Sequence, residues 1–430
     1  MKRVILIILP VLLVLGWFVT LENTVKKPAA YKALLNKSSH YEEKELYIRA
    51  IECLNEAQTY QETEEQAIRI ARDYRSLGES KEYMTRMESV CKENGYREDT
   101  VCELSDFYVQ QGNNSAAIKL LESAIAQDPG REEVNRRYEA VRYTYANMYL
   151  NYEKMHTLRN GSAVVEAEGK KGLISKSGKY LINIRNTDTA PLSSDGNRVV
   201  ACDEKGWFVA DTKGYKREVP LDGQEVLYVG ALENGIAPAK INGEWCYIKE
   251  DFSVAAKGGW EEVTVFCNSS GAVKKGGKWA LIGEDFSPVT EFRFDDVIRD
   301  EYGYCTMSGR VFVKEDGQIR IVDRTGAVMG DFTCDDAKPF VGGGPAAFSR
   351  NGKWGFVDES GVEVIAPVYE DAGSFASGLA PVKTEDGWGY IDKKGQMRIA
   401  PVFDEAKSFE RGFAPVKKGR NWTIIKLNTY

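Results

Sequence analysis

The chain has 430 residues, with 57 Lys and Arg against 64 Asp and Glu, a formal net charge of −7. Mild acidity argues against nucleic acid as a partner, and 43% hydrophobic with 28% charged residues excludes a disordered chain or a polytopic membrane protein. Two histidines, His40 and His156, are too few for most zinc sites or histidine-assisted nucleophiles, whereas 40 glycines demand many turns.

Residues 4–21 form an apolar run behind Lys2 and Arg3, interrupted by Pro10, Gly16 and Thr20. As a helix it would span roughly 27 Å, close to the hydrocarbon thickness of a bilayer, and Trp17 and Phe18 suit an interface. No small-residue cleavage signal follows it, so residues 1–22 read as an uncleaved signal anchor that places the rest of the chain outside the cytoplasm. The alternative is secretion after signal cleavage. Residues 23–30 read as a linker.

The eight cysteines have irregular spacing and no C-x-x-C, so no metal site is expected and most read as small buried apolar residues. Cys91 and Cys102 could bridge neighbouring helices in an oxidising compartment.

Residues 31–147 read as amphipathic helices in pairs. Val101, Leu104, Tyr108, Gly112, Ala117, Leu121, Ala124 and Pro129 have counterparts 34 residues earlier in Ala67, Ile70, Tyr74, Gly78, Tyr83, Met87, Val90 and Gly95. Ala50, Leu54 and Ala57 are a weaker third trace. The second set resembles the tetratricopeptide repeat, in which two helices meet across a turn and small residues allow close approach. Tyr83 and Gly95 make the first set a degenerate copy. The resemblance implies either a surface that binds other polypeptides or a plain helical spacer.

Only five glycines precede residue 151, and the composition changes there. From residue 148 to 430 the sequence reads as eight copies of one β unit. A tryptophan position recurs at Lys171, Trp207, Trp245, Trp279, Ile319, Trp354, Trp388 and Trp422, with intervals of 36, 38, 34, 40, 35, 34 and 34. Gly355 and Gly389 follow two of these tryptophans, Gly361 and Gly395 mark the next turn, and Gly378 and Gly412 restart the cycle. These residues, Gly352-Lys-Trp-Gly355 above all, resemble the WG (KWG) repeat family. That family is widespread in bacteria, β-rich and mostly without assigned activity, so the resemblance implies fold rather than chemistry.

Within one unit, 380–383, 388–392, 397–400 and 403–409 read as four short extended pieces, with a hairpin turn at Asp392–Gly395 and a strand end at Pro401. Four strands per unit suit a propeller-like ring, with an open β-solenoid as the alternative. The last unit lacks a strand, and Met148–Leu150 is expected to supply it and close the ring.

His40 and His156 have no acidic or cysteine cluster in register and read as surface residues, incidental to both repeat systems. The pairs Asp295-Asp296, Asp335-Asp336 and Asp404-Glu405 share the repeat position of Glu370-Asp371, so they read as repeat signature rather than metal ligands. Gly342–Gly344 lacks the Lys-Ser/Thr and helix of a phosphate loop. No catalytic residue, cofactor or metal is expected, and no polar residues are seen converging out of register. The expected protein is a multidomain, membrane-tethered, extracytoplasmic binding or scaffold protein. Its helical hairpins precede an all-β platform for a protein or cell-surface glycan partner. The alternatives are a structural surface protein without a ligand, or an enzyme with its site in the central opening of the ring.

Overall fold

The computed structural model describes residues 27–213, 215–218, 225–342 and 344–430. The expected anchor at 1–22 lies outside these residues, as do residues 23–26 of the expected linker and Gly343. Among the described residues no helix is long and apolar enough to cross a membrane. The linker assignment fails from residue 27 onward, because the described residues begin in a helix, Lys27–Glu43. The chain forms two compact units, one ending at Arg142 and one running from Tyr143 to Asn428 with Tyr430.

The first unit contains seven helices among the described residues: α1 Lys27–Glu43, α2 Tyr47–Gln58, α3 Glu64–Ser76, α4 Ser80–Glu93, α5 Glu98–Gln110, α6 Asn114–Gln127 and α7 Glu132–Val141. Leu104, Tyr108, Ala117, Leu121 and Ala124 share one buried cluster with Tyr83, Met87 and Val101. Gly78 and Gly112 take positive φ, +80° and +71°, in the turns after α3 and α5. Pro129 is exposed just beyond α6. Tyr83 stands where the better copy has Ala117, and its ring meets Phe107 edge-on at 4.6 Å between centroids. A large residue is thus absorbed by aromatic packing where the small one would permit close helix approach. Thr63 starts α3 with a reciprocal capping box: Gln66 N donates to Thr63 Oγ1 at 3.3 Å and Thr63 N to Gln66 Oε1 at 3.0 Å.

The second unit is an eight-bladed β-propeller. Blade 7 shows the plan: Asp371–Ala372, Leu379–Thr384, Gly387–Asp392 and Met397–Phe403 hydrogen-bond in that order, all antiparallel. The expected fourth piece at 403–409 shrinks to the two-residue inner strand Glu405–Ala406, and the inner strand is two residues in every blade but the third, where it is Val226–Val229. The middle two strands are buried, whereas the fourth alternates and forms the outer edge. Pro401 does not end that strand. It lies inside it, because an outer edge needs no donor on its free side.

The tryptophan position is in register throughout, with Lys383 opposite Trp388, Ser349 opposite Trp354 and Lys417 opposite Trp422. The glycine after tryptophan has a packing cause. A Cβ on Gly389 would lie 2.6 Å from Ile399 O and 2.9 Å from Pro401 N, and one on Gly355 would lie 2.6 Å from Ile365 O. The outer strand bulges onto this residue in both blades. Gly361, Gly378, Gly395 and Gly412 occupy turns with positive φ.

Ring closure occurs, with the closing strand placed just ahead of the expected residues, of which Met148 alone joins the backbone ladder. The edge strand of blade 8 is Tyr145–Asn147, pairing Tyr145 with Leu427 and Asn147 with Ile425. Met148 N adds one bond to Ile424 O at 2.9 Å, Tyr149 at φ +54° interrupts the ladder, and Tyr152 rejoins it by exchanging two bonds with Trp422. The β unit consequently begins at Tyr143 rather than 148.

Candidate functional site

Each short inner strand is followed by one residue whose N–H bonds the second strand. His156 donates to Val164 O, Lys338 to Ala347 O, Gly373 to Pro381 O and Lys407 to Pro415 O. This inner position and the loop after it line the centre of the ring. In blade 5 that loop is long, because its tryptophan position lies 40 residues after the previous one instead of 34.

The extra residues cross the ring. Asp300 Oδ2 accepts from Arg159 Nη2 at 2.5 Å, and Arg159 stacks over Tyr304 at 4.6 Å. Tyr302 Oη donates to Thr157 O at 2.9 Å, and Tyr304 Oη donates to Glu233. Gly303 O accepts from Val265 N at 2.9 Å, and Met307 N bonds Phe340 O at 3.2 Å. Blades 1, 3, 4 and 6 therefore all hold one segment from blade 5, and the centre is plugged by protein.

Glu301 sits at the mouth of this plug. It accepts from Thr157 N at 2.5 Å, from His156 Nδ1 at 2.9 Å and from Lys407 Nζ at 3.1 Å. His156 Nε2 meets Glu166 Oε1 at 2.6 Å, so both ring nitrogens are engaged by carboxylates. Two expectations are overturned here. His156 is not incidental, and polar residues from different blades do converge out of register. His40 lies on α1, in the other unit. Burial alone would raise the Glu301 carboxyl, but the His156 bond, the Lys407 charge and the Thr157 bond outweigh it and hold Glu301 well below the usual carboxylate range.

Two cavities adjoin the plug and share Glu301. The larger, about 360 Å³, is walled by Trp388, Trp422, Lys338, Lys407 and Gly373. The smaller, about 140 Å³, touches His156, Lys171 and Tyr302. A third depression of about 560 Å³, away from the plug, is walled by turn residues such as Ser194 and Asn234, with Arg198 paired to Asp195 and Glu250.

Most of the repeat tryptophans are faced by a cation or a ring. Arg299 lies over Trp279 at 4.7 Å, Lys338 over Trp354 at 4.6 Å and Lys407 over Trp422 at 5.7 Å. Tyr228 lies between Trp207 and Trp245, at 6.0 and 5.4 Å.

The acidic pairs have structural work. The first member caps the tight turn of its own blade: Asp335 Oδ2 accepts from Asn351 N at 2.7 Å and Asp404 Oδ2 from Gly419 N at 2.6 Å. Of the second members, Glu405 lines the larger cavity and pairs with Lys417 at 2.7 Å, and Asp371 pairs with the cavity-lining Lys338 at 2.7 Å. Among the described residues no group of three His, Cys, Asp or Glu is arranged to hold a metal ion. All eight cysteines are free thiols, Cys91 and Cys102 included.

One signal in the sequence marked this site: the 40-residue interval is the longest in the series. Asp300, Glu301, Tyr302 and Tyr304 all fall within that interval.

No curated protein matches the chain. In fold it is similar to a crystal structure of the eukaryotic initiation factor, at TM-score 0.41 and 13% identity over 64% of this chain and 85% of that one. It is similar to Kluyvelomyces marxianus Hsv2 at TM-score 0.34 and 12% identity, over 56% of this chain and 96% of that one. It is also similar to the extracellular domain of the hybrid two component system BT4673 from B. thetaiotaomicron, at TM-score 0.29 and 11% identity over 66% and 42% of the two chains. Residues 354–387 and 388–422 match the family described as WG containing repeat. With the tryptophan register seen blade by blade, these matches identify blades 6 to 8 of the propeller as carrying WG repeats.

Proposed function

We propose that the chain is a non-catalytic binding or scaffold protein whose propeller presents the mouth of its plugged ring to a polypeptide or glycan. The observation that carries this reading is the state of the charges there. Glu301, Lys407, Lys338, Asp371 and Glu405 are each in an ion pair. His156 has a carboxylate on both ring nitrogens and so offers neither to a substrate as acid or base. What is left facing outward is a cavity with an aromatic wall and fixed donors and acceptors, the composition of a recognition site.

In the same reading, residues 4–21 tether the chain to a membrane with the propeller outside the cytoplasm. The helical unit, whose hairpins resemble tetratricopeptide repeats, serves as stalk or docking surface. The full-length chain, solubilised in detergent and immobilised, should retain a defined polypeptide or sugar from an extracellular fraction. Consistent failure to recover either would count against binding and favour a structural surface role. Recovery of the chain in the culture medium, shortened at its N-terminus, would sink the tether.

A further inference from the structure

Blades 6, 7 and 8 differ at one position that decides what covers each tryptophan. The inner position is Lys338 in blade 6, Gly373 in blade 7 and Lys407 in blade 8, equivalent by their bonds to Ala347 O, Pro381 O and Pro415 O. Lys338 lies over Trp354 and Lys407 over Trp422. Gly373 supplies no such cover. Among the described residues Trp388 is the one repeat tryptophan with neither a cation nor an aromatic ring set against it. It is half-buried, packs against the cluster that holds Tyr390 and Phe403, and lines the 360 Å³ cavity.

On the cavity side its surroundings are polar and electrically balanced. Lys338 Nζ is held by Asp371 Oδ1 at 2.7 Å on one side, and Lys407 Nζ by Glu301 at 3.1 Å on the other. Each pair offers an ammonium donor next to a carboxylate acceptor. A charged ligand would have to compete for one member of a pair and leave the other without its partner. A ligand bearing adjacent hydroxyls can donate to the carboxylate and accept from the ammonium of the same pair, leaving both charges compensated. The face of an indole carries the negative side of its quadrupole and attracts the electropositive C–H hydrogens of an otherwise hydroxylated ring.

We infer that Trp388, exposed by Gly373, is the stacking platform for a neutral pyranose residue of a glycan, with the Lys338–Asp371 and Lys407–Glu301 pairs reading its hydroxyls. This inference rests on the binding role proposed above and names the ligand class of the same mouth.

The test titrates the full-length chain in detergent with a panel of neutral gluco-, manno-, xylo- and N-acetylglucosamine oligosaccharides, alongside uronic-acid oligosaccharides. Binding is read by calorimetry and tryptophan fluorescence. At least one neutral oligosaccharide should bind. Trp388→Ala should weaken it more than about thirty-fold, the loss typical of a central tryptophan. Trp388→Phe should retain part of the affinity. Gly373→Lys should abolish binding by capping the ring as Lys407 caps Trp422; its Cβ would meet Pro381 Cγ at 2.8 Å and Ser408 Oγ at 2.9 Å, so both must shift to admit it. Trp354→Ala, whose ring is already covered, should bind as the parent does. Near-ultraviolet circular dichroism checks that each variant is folded.

Unchanged sugar binding in folded Trp388→Phe, Trp388→Ala and Gly373→Lys chains would remove the site and leave the binding role standing. Stronger binding of uronic acids than of neutral sugars, or Trp388-dependent capture of a polypeptide with no sugar bound, would overturn the ligand class alone. Absence of both sugar and polypeptide binding would overturn this inference and the binding role together.

Discussion

Arg159 of blade 1 and Asp300 of blade 5 meet at 2.5 Å across the centre of the ring, with only 6% of the arginine side chain exposed. Blades 1 and 5 are opposite one another in a ring of eight, so the pair ties the plug to the wall farthest from its origin. A buried pair gains little over an apolar replacement, but losing one partner leaves an uncompensated charge. Asp300→Ala or Arg159→Ala should cost about 3–5 kcal/mol of propeller stability. The double variant Arg159→Met with Asp300→Leu should recover most of it. Urea titration followed by tryptophan fluorescence in a Trp17→Phe background reports on this unit alone, because residues 27–142 contain no tryptophan and Trp17 is the one tryptophan outside residues 143–430. Equal loss in the single and double variants would show that the plug is held by something other than this pair.

Acid should loosen the same plug through Glu301. Its carboxyl is depressed in the folded state despite burial, because His156, Lys407 and Thr157 all favour the ionised form. A depressed carboxylate contributes stability that is complete above its unfolded pKa of about 4.3 and is lost as pH falls toward the folded value. Thermal unfolding of the propeller should therefore be flat in this contribution near neutrality and fall below about pH 4. Glu301→Gln should lower the plateau and flatten the acid slope. An unchanged slope would move the acid sensitivity to other carboxylates.

Gly389 tests why glycine follows tryptophan. A Cβ there would press on Ile399 O at 2.6 Å and on Ala400 C at 3.0 Å, both backbone atoms of the bulged outer strand. Neither can swing aside as a side chain would. Gly389→Ala should thus destabilise the propeller by about 1–3 kcal/mol, the usual cost of overpacking. The matched change at Gly419, with no atom within 4 Å of the added Cβ but φ at +66°, samples backbone strain without the clash. Gly389 itself has no positive φ, so a loss for Gly389→Ala below about 0.5 kcal/mol would show that the outer strand gives way and that close approach does not explain the repeat's glycine.

These cases show where sequence is informative and where it is silent. The tryptophan register and its following glycine are legible because every blade solves the same packing problem, so the solution recurs at a near-constant period. The plug is a single event, and no periodicity can reveal it. Its trace is the long interval before Ile319, which says that residues were added and not that Asp300 and Glu301 reach blade 1. His156 was misread for the same reason, since its partners Glu166 and Glu301 are 10 and 145 residues away. The closing strand was legible as a need, but not its end, which falls where Tyr149 takes a left-handed conformation that sequence does not announce. The uncovered Trp388 was legible in principle, as a glycine at 373 in line with lysines at 338 and 407. It gains meaning only once those lysines are seen to lie on their tryptophans.

The helical unit should carry an opposite pH dependence, set by Asp73. This residue is 5% exposed on α3, and its Oδ2 has no hydrogen-bond partner among the described residues. Burial first, and then the nearby Glu42 charge, push its carboxyl up to about 7 against the opposing effect of Arg69. A raised carboxyl binds its proton more tightly in the folded than in the unfolded chain. The stability it confers is full below the unfolded pKa of about 3.9 and is lost as pH rises through the folded value near 7. Helical ellipticity at 222 nm during thermal unfolding should show this unit losing stability between about pH 4 and 7. Asp73→Asn removes the ionisation, so it should flatten that slope and leave the unit more stable above pH 7, by roughly 1–3 kcal/mol if the full cost of the buried charge is relieved. A variant less stable than the parent at pH 8 would mean that ionised Asp73 is compensated by Arg69, whose guanidinium already serves Glu42 at 2.8 Å.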